Sequence, residues 1–126
     1  AGRRVTVVGR SLVIGRPAAL LLTRADATVT LCHRKTPDLA ARCRAADILL
    51  AAAGAPGLIT PECVRPGQIV LDAGATALPD GTLRGDVTPA AAAIAACTPV
   101  PGGIGSVTTA LLLRHTVQAA EKSHHF

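Results

Sequence analysis

The sequence predicts an α/β fold: a Rossmann-like parallel sheet with helices on both faces, formed by a single domain. Short apolar segments alternate with helical segments along the 126 residues, which is the pattern of βαβ units. The apolar residues are mainly Ala, Val, Leu and Ile, with Phe126 as the one aromatic residue, and small aliphatic residues suit a sheet covered on both faces. A glycine turn follows the first apolar segment, where such folds bind phosphate.

The elements follow from local patterns. Val5–Val8 is an apolar run and is predicted as the first strand. The helix after it spans 15–25 and carries Pro17 in its first turn, where a missing N–H costs little. The last helix is predicted from 105 to about 121, and one of its faces carries Ala110, Leu113, Val117 and Ala120. The remaining predictions are strands at 28–32, 48–52, 68–71 and 96–98, helical segments at 36–44, 60–64 and from 86–89, and a hairpin at 78–83.

Composition argues against a membrane protein and against a metal centre. The longest apolar stretch, 48–55, is far shorter than the roughly 20 residues that span a bilayer, and the first residues do not resemble a signal peptide. The four cysteines form no C-x-x-C pair and the four histidines show no ligand spacing, so no metal site is predicted. We expect a cytoplasmic protein with free, buried cysteines rather than a disulfide framework.

The net charge of +5 comes from 13 basic residues, of which Lys35 and Lys122 are the only lysines. Arginine is suited to bidentate phosphate binding, although an ordinary basic surface has the same composition. Binding to nucleic acid is not predicted, because the sequence offers no aromatic residues on which bases could stack.

The glycine turn is the first candidate site. Gly9, Arg10 and Ser11 follow the first strand, and Gly15 opens the predicted helix. Unpaired N–H groups at a helix N-terminus attract phosphate, although the spacing departs from G-x-G-x-x-G. Ligands bind at the carboxyl ends of parallel strands, and the segments predicted there are 9–11, 33–36, 53–57 and 72–76.

The residues after the second strand indicate which dinucleotide fits. NAD-binding folds usually place a carboxylate there to bind the ribose hydroxyl, but this sequence has His33, Arg34, Lys35 and Thr36. Arg34 and Lys35 would attract a 2′-phosphate, with Arg10 joining from the first turn and Thr36 adding a hydroxyl donor. The alternative is a solvated basic turn. In combination with the glycine turn, these residues favour NADP over NAD.

Several segments occur in an order that resembles one family. Gly9-Arg10-Ser11 is followed by Gly15-Arg16-Pro17, then by residues 32–36 and by residues 99–105, Pro-Val-Pro-Gly-Gly-Ile-Gly. Over residues 2–120 this order resembles the cofactor-binding half of the bifunctional methylenetetrahydrofolate dehydrogenase/methenyltetrahydrofolate cyclohydrolase family. The resemblance implies an NAD(P)-binding Rossmann domain over 1–122 and a polar tail over 123–126.

The same resemblance implies roles for individual residues. Gly9, Arg10 and Ser11 would contact the cofactor phosphates, and Arg34 would lie beside the adenosine 2′-phosphate. Ala75 would touch the nicotinamide end through its backbone. The loop that closes over folate and nicotinamide would consist of Pro101, Gly102, Gly103, Ile104 and Gly105.

Other family features are missing or changed. The family's Tyr-x-x-x-Lys segment and its folate-binding aspartate belong to an N-terminal domain, whereas this chain contains no tyrosine, so no catalytic residue is assigned here. The resemblance therefore implies an N-terminal folate-binding catalytic domain as partner and no folate turnover by this chain alone. Ser106-Val107 stands where the family usually has Pro-Met, and Thr76 stands where Asn is common.

Three functions remain open at this point. The first is the NADP-binding domain of the bifunctional enzyme, which positions NADP for hydride transfer from 5,10-methylenetetrahydrofolate in one-carbon metabolism. The second is a stand-alone nucleotide-binding or partner-docking module without catalysis. The third is the nucleotide domain of another dehydrogenase, such as a shikimate-type enzyme, against which the 99–105 loop argues. A homodimer is among the assemblies that the sequence allows.

Overall fold

The computed structural model describes residues 1–123. It contains seven strands, four helices and a short 3-10 turn at Pro61–Cys63. The strands are β1 (Arg4–Val8), β2 (Thr28–Cys32), β3 (Ile48–Ala51), β4 (Ile69–Asp72), β5 (Thr76–Ala77), β6 (Leu83–Arg84) and β7 (Ala96–Cys97). The helices are α1 (Gly15–Arg24), α2 (Leu39–Ala45), α3 (Pro89–Ala92) and α4 (Ile104–Ser123).

Five strands form one parallel sheet in the order β2-β1-β3-β4-β7. The chain leaves β1 toward β2 on one side and returns to β3 on the other, so the strand order reverses between β1 and β3. Such a reversal opens a crevice at the carboxyl ends of the two strands. The Rossmann-like fold class is therefore confirmed, and the predicted hairpin is the antiparallel pair β5–β6.

The core lies mainly on one face of the sheet. Val8 pairs with Ala51 across β1 and β3, and both are fully buried in a cluster that includes Cys43 of α2. The Thr6 hydroxyl donates to the carbonyl of Arg42, 3.1 Å away, which fixes α2 on this face. Parallel crossovers are right-handed, so α1, which connects β1 to β2 in the opposite direction, covers the other face.

Two helix boundaries differ from the prediction for identifiable reasons. Asp38 adopts a left-handed conformation with φ 53°, so α2 begins at Leu39 rather than at 36. The last helix extends to Ser123, the first residue of the predicted polar tail; the rest of that tail lies outside the described residues. Pro89 opens α3 as expected, because the Thr88 hydroxyl caps it by accepting from the Ala91 N–H at 3.2 Å.

The packing of α4 is not what its pattern suggests. The predicted face of Ala110, Leu113, Val117 and Ala120 exists, but α4 buries none of its residues. Leu113 is 65% exposed and Val117 57%. The helix therefore leaves the domain with its apolar side chains uncovered.

The cysteines lie mostly in the interior. All four thiols are free; Cys32, Cys43 and Cys63 are buried, and Cys97 is half-buried. Burial raises the pKa of the Cys43 thiol to about 12, with further contributions from Cys63 and Cys32, so this thiol is not an activated nucleophile.

Over residues 1–123, no helix combines the length and the apolar character needed to cross a membrane.

An ion-pair network ties the amino ends of β1 and β3 together. Asp47 precedes β3 and accepts from the Arg4 backbone N–H at 3.0 Å and from Arg4 Nη2 at 2.9 Å. Arg65 approaches the same carboxylate at 3.4 Å. These hydrogen bonds to Arg4 lower the pKa of Asp47 to about 2.

We expect Asp47→Asn to lower the melting temperature at pH 7, because the neutral amide loses its charge-assisted bonds to Arg4. A lowered pKa means that the stabilisation is complete above the ordinary value of 3.8 and is lost as the pH falls through about 2. The difference between wild type and variant should therefore shrink over that interval in melts followed by circular dichroism. Glu121→Gln on α4 is the control; a difference that stays constant with pH would contradict the assignment.

Candidate nucleotide-binding site

The predicted site residues line two of the clefts at the carboxyl edge of the sheet. The first, called the basic cleft here, encloses about 430 Å³ between the β1, β2 and β3 loops. The second, called the apolar cleft, encloses about 740 Å³ beside the β4 turn and the start of α4. The basic cleft is lined by Gly9, Arg10, Ser11, His33, Arg34, Lys35, Ala52 and Ala53.

The floor of the basic cleft is a close backbone contact at the strand-order reversal. Gly9 has φ 126°, and a Cβ there would run into the carbonyl group of Ala52. Gly15 is buried, and a Cβ on it would collide with the carbonyl of Gly9. These two glycines let β1, α1 and the β3 loop meet, since side chains at either position would separate them. Gly15 thus packs beneath the turn rather than lining the cleft.

The N-terminus of α1 differs from the expectation. Its N–H groups are already paired: Ser11 Oγ accepts from Ile14 and Gly15 at 3.1 and 3.5 Å, and the Ser11 carbonyl accepts from Arg16 at 3.0 Å. Pro17 has no N–H to offer. Within residues 1–123, the backbone N–H groups of Arg10 and Ser11 donate to no protein atom. The donors available for a phosphate are therefore those of the turn, not those of the helix end.

The turn after β2 presents the cations. The His33 N–H donates to Thr36 Oγ1 at 2.9 Å, and His33 Nδ1 accepts from the Lys35 N–H at 3.2 Å. Thr36 therefore orders the turn and does not line the cleft, whereas His33 does. Sequence reasoning placed the segment 33–36 at this edge of the sheet but gave His33 itself no role, since its neighbours Arg34 and Lys35 carry the charge.

Within residues 1–123, the cations of the basic cleft form no ion pair. The ion pairs formed within residues 1–123 both involve Asp47, at the opposite edge of the sheet. Arg10, Arg34 and Lys35 are exposed at the mouth of the cleft, and none of the described residues that line it is a carboxylate. Three unneutralised positive charges near a turn with free N–H groups form a site for a polyanion.

The apolar cleft contains the other predicted residues. Ala75 lines it, and its N–H donates to no protein atom in the described chain. The opposite wall is the loop predicted to face the substrate, Pro101 to Gly105. A Cβ on Gly103 would strike the Pro99 carbonyl, and the Ser106 N–H donates to the Gly103 carbonyl at 3.1 Å. The helix thus begins at this loop without the proline that the family resemblance led us to expect at 106.

Two buried carboxylates lie beside the apolar cleft, and one of them, Asp72, lines it; sequence reasoning gave neither a role. Asp72 ends β4 and Asp86 follows β6; they are 4% and 0% exposed. Burial raises the pKa of Asp86, an effect opposed by hydrogen bonds from the backbone of residues 53–55. Over residues 1–123, no three His, Cys, Asp or Glu side chains come together in a way that could hold a metal ion.

The structure thus gathers the predicted site residues into two groups. Gly9, Arg10, Ser11, Arg34 and Lys35 line the basic cleft, with Gly15 and Thr36 supporting it from behind. The apolar cleft is lined by Ala75, Pro101, Gly102, Gly103, Ile104 and Gly105. Both clefts lie at the same edge of the sheet, one on either side of the β3 loop, so an extended two-part ligand fits this arrangement.

Residues 1–124 match the sequence profile of the tetrahydrofolate dehydrogenase/cyclohydrolase NAD(P)-binding domain. The chain is 57% identical over 120 residues to the bifunctional protein FolD of Chloroflexus aurantiacus, which covers 94% of this chain and 42% of that protein. It is 60% identical over 120 residues to bifunctional protein FolD 1 of Rhodococcus jostii, covering 94% of this chain and 40% of the relative. The chain thus spans about two fifths of the length of these relatives.

Solved structures of the same family resemble this chain over nearly its whole length. The Trypanosoma brucei methylenetetrahydrofolate dehydrogenase-cyclohydrolase, complexed with NADP cofactor and inhibitor, superimposes with a TM-score of 0.89 at 43% identity, over 100% of this chain and 46% of that one. The FolD enzyme of Campylobacter jejuni gives a TM-score of 0.89 at 40% identity, over 97% and 44% of the two chains. The chain therefore belongs to the tetrahydrofolate dehydrogenase/cyclohydrolase family, of which it is the NAD(P)-binding domain.

Proposed function

We propose that this domain binds NADP in preference to NAD, with the adenosine half in the basic cleft and the nicotinamide half in the apolar cleft. The observation that carries the proposal is the set of three unpaired cations, Arg10, Arg34 and Lys35, in a cleft without a carboxylate. A ribose 2′-phosphate would meet charge-assisted donors there, whereas a bare hydroxyl would gain little from them.

The residues present fit the cofactor in chemical type. The free N–H groups of Arg10 and Ser11 suit the bridging phosphates, and the Ala75 N–H suits a polar group at the nicotinamide end. Pro99 and Ile104 give the apolar cleft the hydrophobic lining that a planar ring requires. When bound, the nicotinamide would accept a hydride, and this chain would supply binding and orientation rather than acid or base groups.

We also propose the whole-protein function to which this domain contributes: NADP-dependent oxidation of 5,10-methylenetetrahydrofolate and hydrolysis of the methenyl product, in the cytoplasm. The catalytic residues would come from an N-terminal folate-binding domain. This is supported by the relatives, whose length is more than twice that of the matched region. It is also supported by α4, whose exposed Leu112 and Val117 need a covering surface. A homodimer remains a prediction.

Two features support the alternative of a nucleotide-binding or docking module without catalysis. One is Ser106-Val107 in place of Pro-Met, and the other is that this chain matches only about two fifths of its relatives' length. The geometry weakens the first, because the Ser106 N–H bonds to the Gly103 carbonyl and holds the loop at the helix start. The third candidate, a domain of another dehydrogenase, does not agree with the family match over residues 1–124.

The test of cofactor binding is calorimetric titration of this chain with NADP⁺ and with NAD⁺ at low and high salt. We expect tighter binding of NADP⁺, with an advantage that decreases as salt screens the cations. Equal affinities that do not depend on salt would exclude a 2′-phosphate site, and binding of neither dinucleotide would exclude the proposal. If NADP⁺ binds, adding a folate-binding half from a relative in trans tests whether dehydrogenase activity appears.

A further inference from the structure

We propose that Asp72 and Asp86 form a positioning pair that holds the walls of the two clefts in the one relative position that a whole dinucleotide requires. The inference rests on the proposed NADP function, and it adds two buried residues, of which Asp72 lines the apolar cleft and Asp86 lines neither cleft. Neither residue is a catalytic group, since both carboxylates are turned to backbone N–H groups.

Asp86 fixes the β3 loop. Its Oδ2 accepts from the Ala53 N–H at 2.7 Å and from the Gly54 N–H at 3.2 Å, and its Oδ1 accepts from the Ala55 N–H at 2.9 Å. Ala53 lines the basic cleft. The Asp86 carboxylate thus fixes the position of residues 53–55, the wall between the basic cleft and the apolar cleft.

Asp72 fixes the turn after β4 in the same way. Its Oδ1 accepts from the N–H groups of Gly74 and Asp86 at 3.0 and 3.1 Å, and its Oδ2 accepts from Val87 at 3.1 Å. Ala75 follows directly and lines the apolar cleft. The Asp72 carboxylate therefore holds the turn on the nicotinamide side, and it also accepts from the backbone N–H of Asp86.

Two glycines interlock the pair. A Cβ on Gly74 would collide with the carboxyl group of Asp86, and a Cβ on Gly85 would collide with that of Asp72. Each aspartate thus lies against the glycine that neighbours the other. Because of this reciprocal contact, neither the β4 turn nor the 85–88 segment can shift without moving the other and, through Asp86, the β3 loop.

The electrostatics of the pair are those of two buried acceptors for backbone donors. Within residues 1–123 neither carboxylate has a cation partner, and burial raises the pKa of Asp86, so the six N–H groups are what offsets the cost of burying the charges. Apolar residues in these positions would leave those N–H groups without an acceptor. What the pair provides is a fixed geometry for three loops, since a carboxylate accepts from several N–H groups whose directions it determines.

Asp86→Asn is the sharpest variant, because it keeps the shape and replaces one acceptor oxygen by an NH₂ group that faces an N–H. The probes are NADP⁺ and adenosine 2′,5′-bisphosphate, which carries only the adenosine half. We expect the Kd for NADP⁺ to rise about tenfold or more, which corresponds to ~1.4 kcal/mol. The Kd for the bisphosphate, which meets the wall at Ala53 but not the apolar cleft, should rise by a smaller factor, about threefold at most. Asp26→Asn, an exposed carboxylate at the other edge of the sheet, controls for charge.

Hydrogen exchange in the wild-type chain gives a test that does not depend on how the variant folds. NADP⁺ should slow exchange at the amides of residues 53–55 and also at Gly74, Asp86 and Val87, which are bonded to the pair. Slowing confined to 53–55 would overturn the proposal. So would equal losses of affinity for both probes in Asp86→Asn, or no loss for either.

Failure of the proposed function has a different signature. A wild-type chain that binds neither NADP⁺ nor the bisphosphate refutes the nucleotide site and, with it, the positioning role. In the other case the wild-type chain binds NADP⁺ and the bisphosphate, and Asp86→Asn binds each of them with the wild-type affinity. That result leaves the nucleotide site intact and refutes the positioning role alone.

Discussion

Arg34→Ala is expected to raise the Kd for NADP⁺ by about 10- to 100-fold, because a hydrogen bond to a charged group contributes about 1.5–3 kcal/mol. Arg34 lines the basic cleft and pairs with no carboxylate in residues 1–123, so the side chain is free to bind phosphate and its removal leaves no unpaired partner in the protein. The Kd for NAD⁺ should change less than about twofold, since NAD⁺ has no 2′-phosphate. Calorimetric titration of both dinucleotides measures the two changes.

Arg24→Ala is the matched control, because it removes the same charge at the last turn of α1, away from both clefts. A general electrostatic attraction would make the two variants lose the same affinity for NADP⁺. A specific 2′-phosphate site confines the loss to Arg34 and makes it smaller at high salt. If Arg34→Ala raises the Kd for NADP⁺ and the Kd for NAD⁺ by the same factor, the arginine binds the bridging phosphates instead.

The fold could be predicted from the sequence because its signals are local and periodic. Val5–Val8 and the run from Ile48 alternate with helices at βαβ spacing, and only a parallel sheet satisfies that order. The start of α2 was missed because Asp38 adopts a left-handed conformation that composition does not reveal. The packing of α4 was missed for a different reason: periodicity shows which face is apolar, but it does not show what covers that face.

The part of the candidate site that could be predicted from the sequence is the part formed by charged side chains. Arg34 and Lys35 can be identified as cations after a strand, and the absence of a carboxylate there is visible in the sequence. The N–H groups at the end of α1 were expected to be unpaired, but Ser11 accepts from them, and the N–H groups left free are those of the turn at Arg10 and Ser11. The role of Asp86 could not be predicted, since it depends on hydrogen bonds to residues more than 30 positions away.

Gly9→Ala should strongly destabilise the fold, because the added methyl group combines a backbone collision with a strained φ. A Cβ at Gly9 meets the Ala52 carbonyl, and φ 126° is a conformation that L-residues rarely adopt. Because the obstacle is backbone on a neighbouring strand, β1 and β3 must separate at the carboxyl edge. We expect a loss of about 3–5 kcal/mol in the free energy of unfolding, measured by urea denaturation followed by circular dichroism, since the chain has neither Trp nor Tyr.

Gly81→Ala is the control that separates the two causes of destabilisation in Gly9→Ala, the collision of the added Cβ and the strained backbone conformation. Gly81 also has positive φ, 84°, but nothing lies within 4 Å of the position a Cβ would take, so only the backbone cost of about 1–2 kcal/mol applies. If Gly9→Ala costs no more than Gly81→Ala, the turn tolerates a side chain and the close contact with Ala52 is not a constraint. If it costs more and any folded fraction also fails to bind NADP⁺, the same backbone contact that closes the sheet also sets the free N–H groups of Arg10 and Ser11 at the phosphate position.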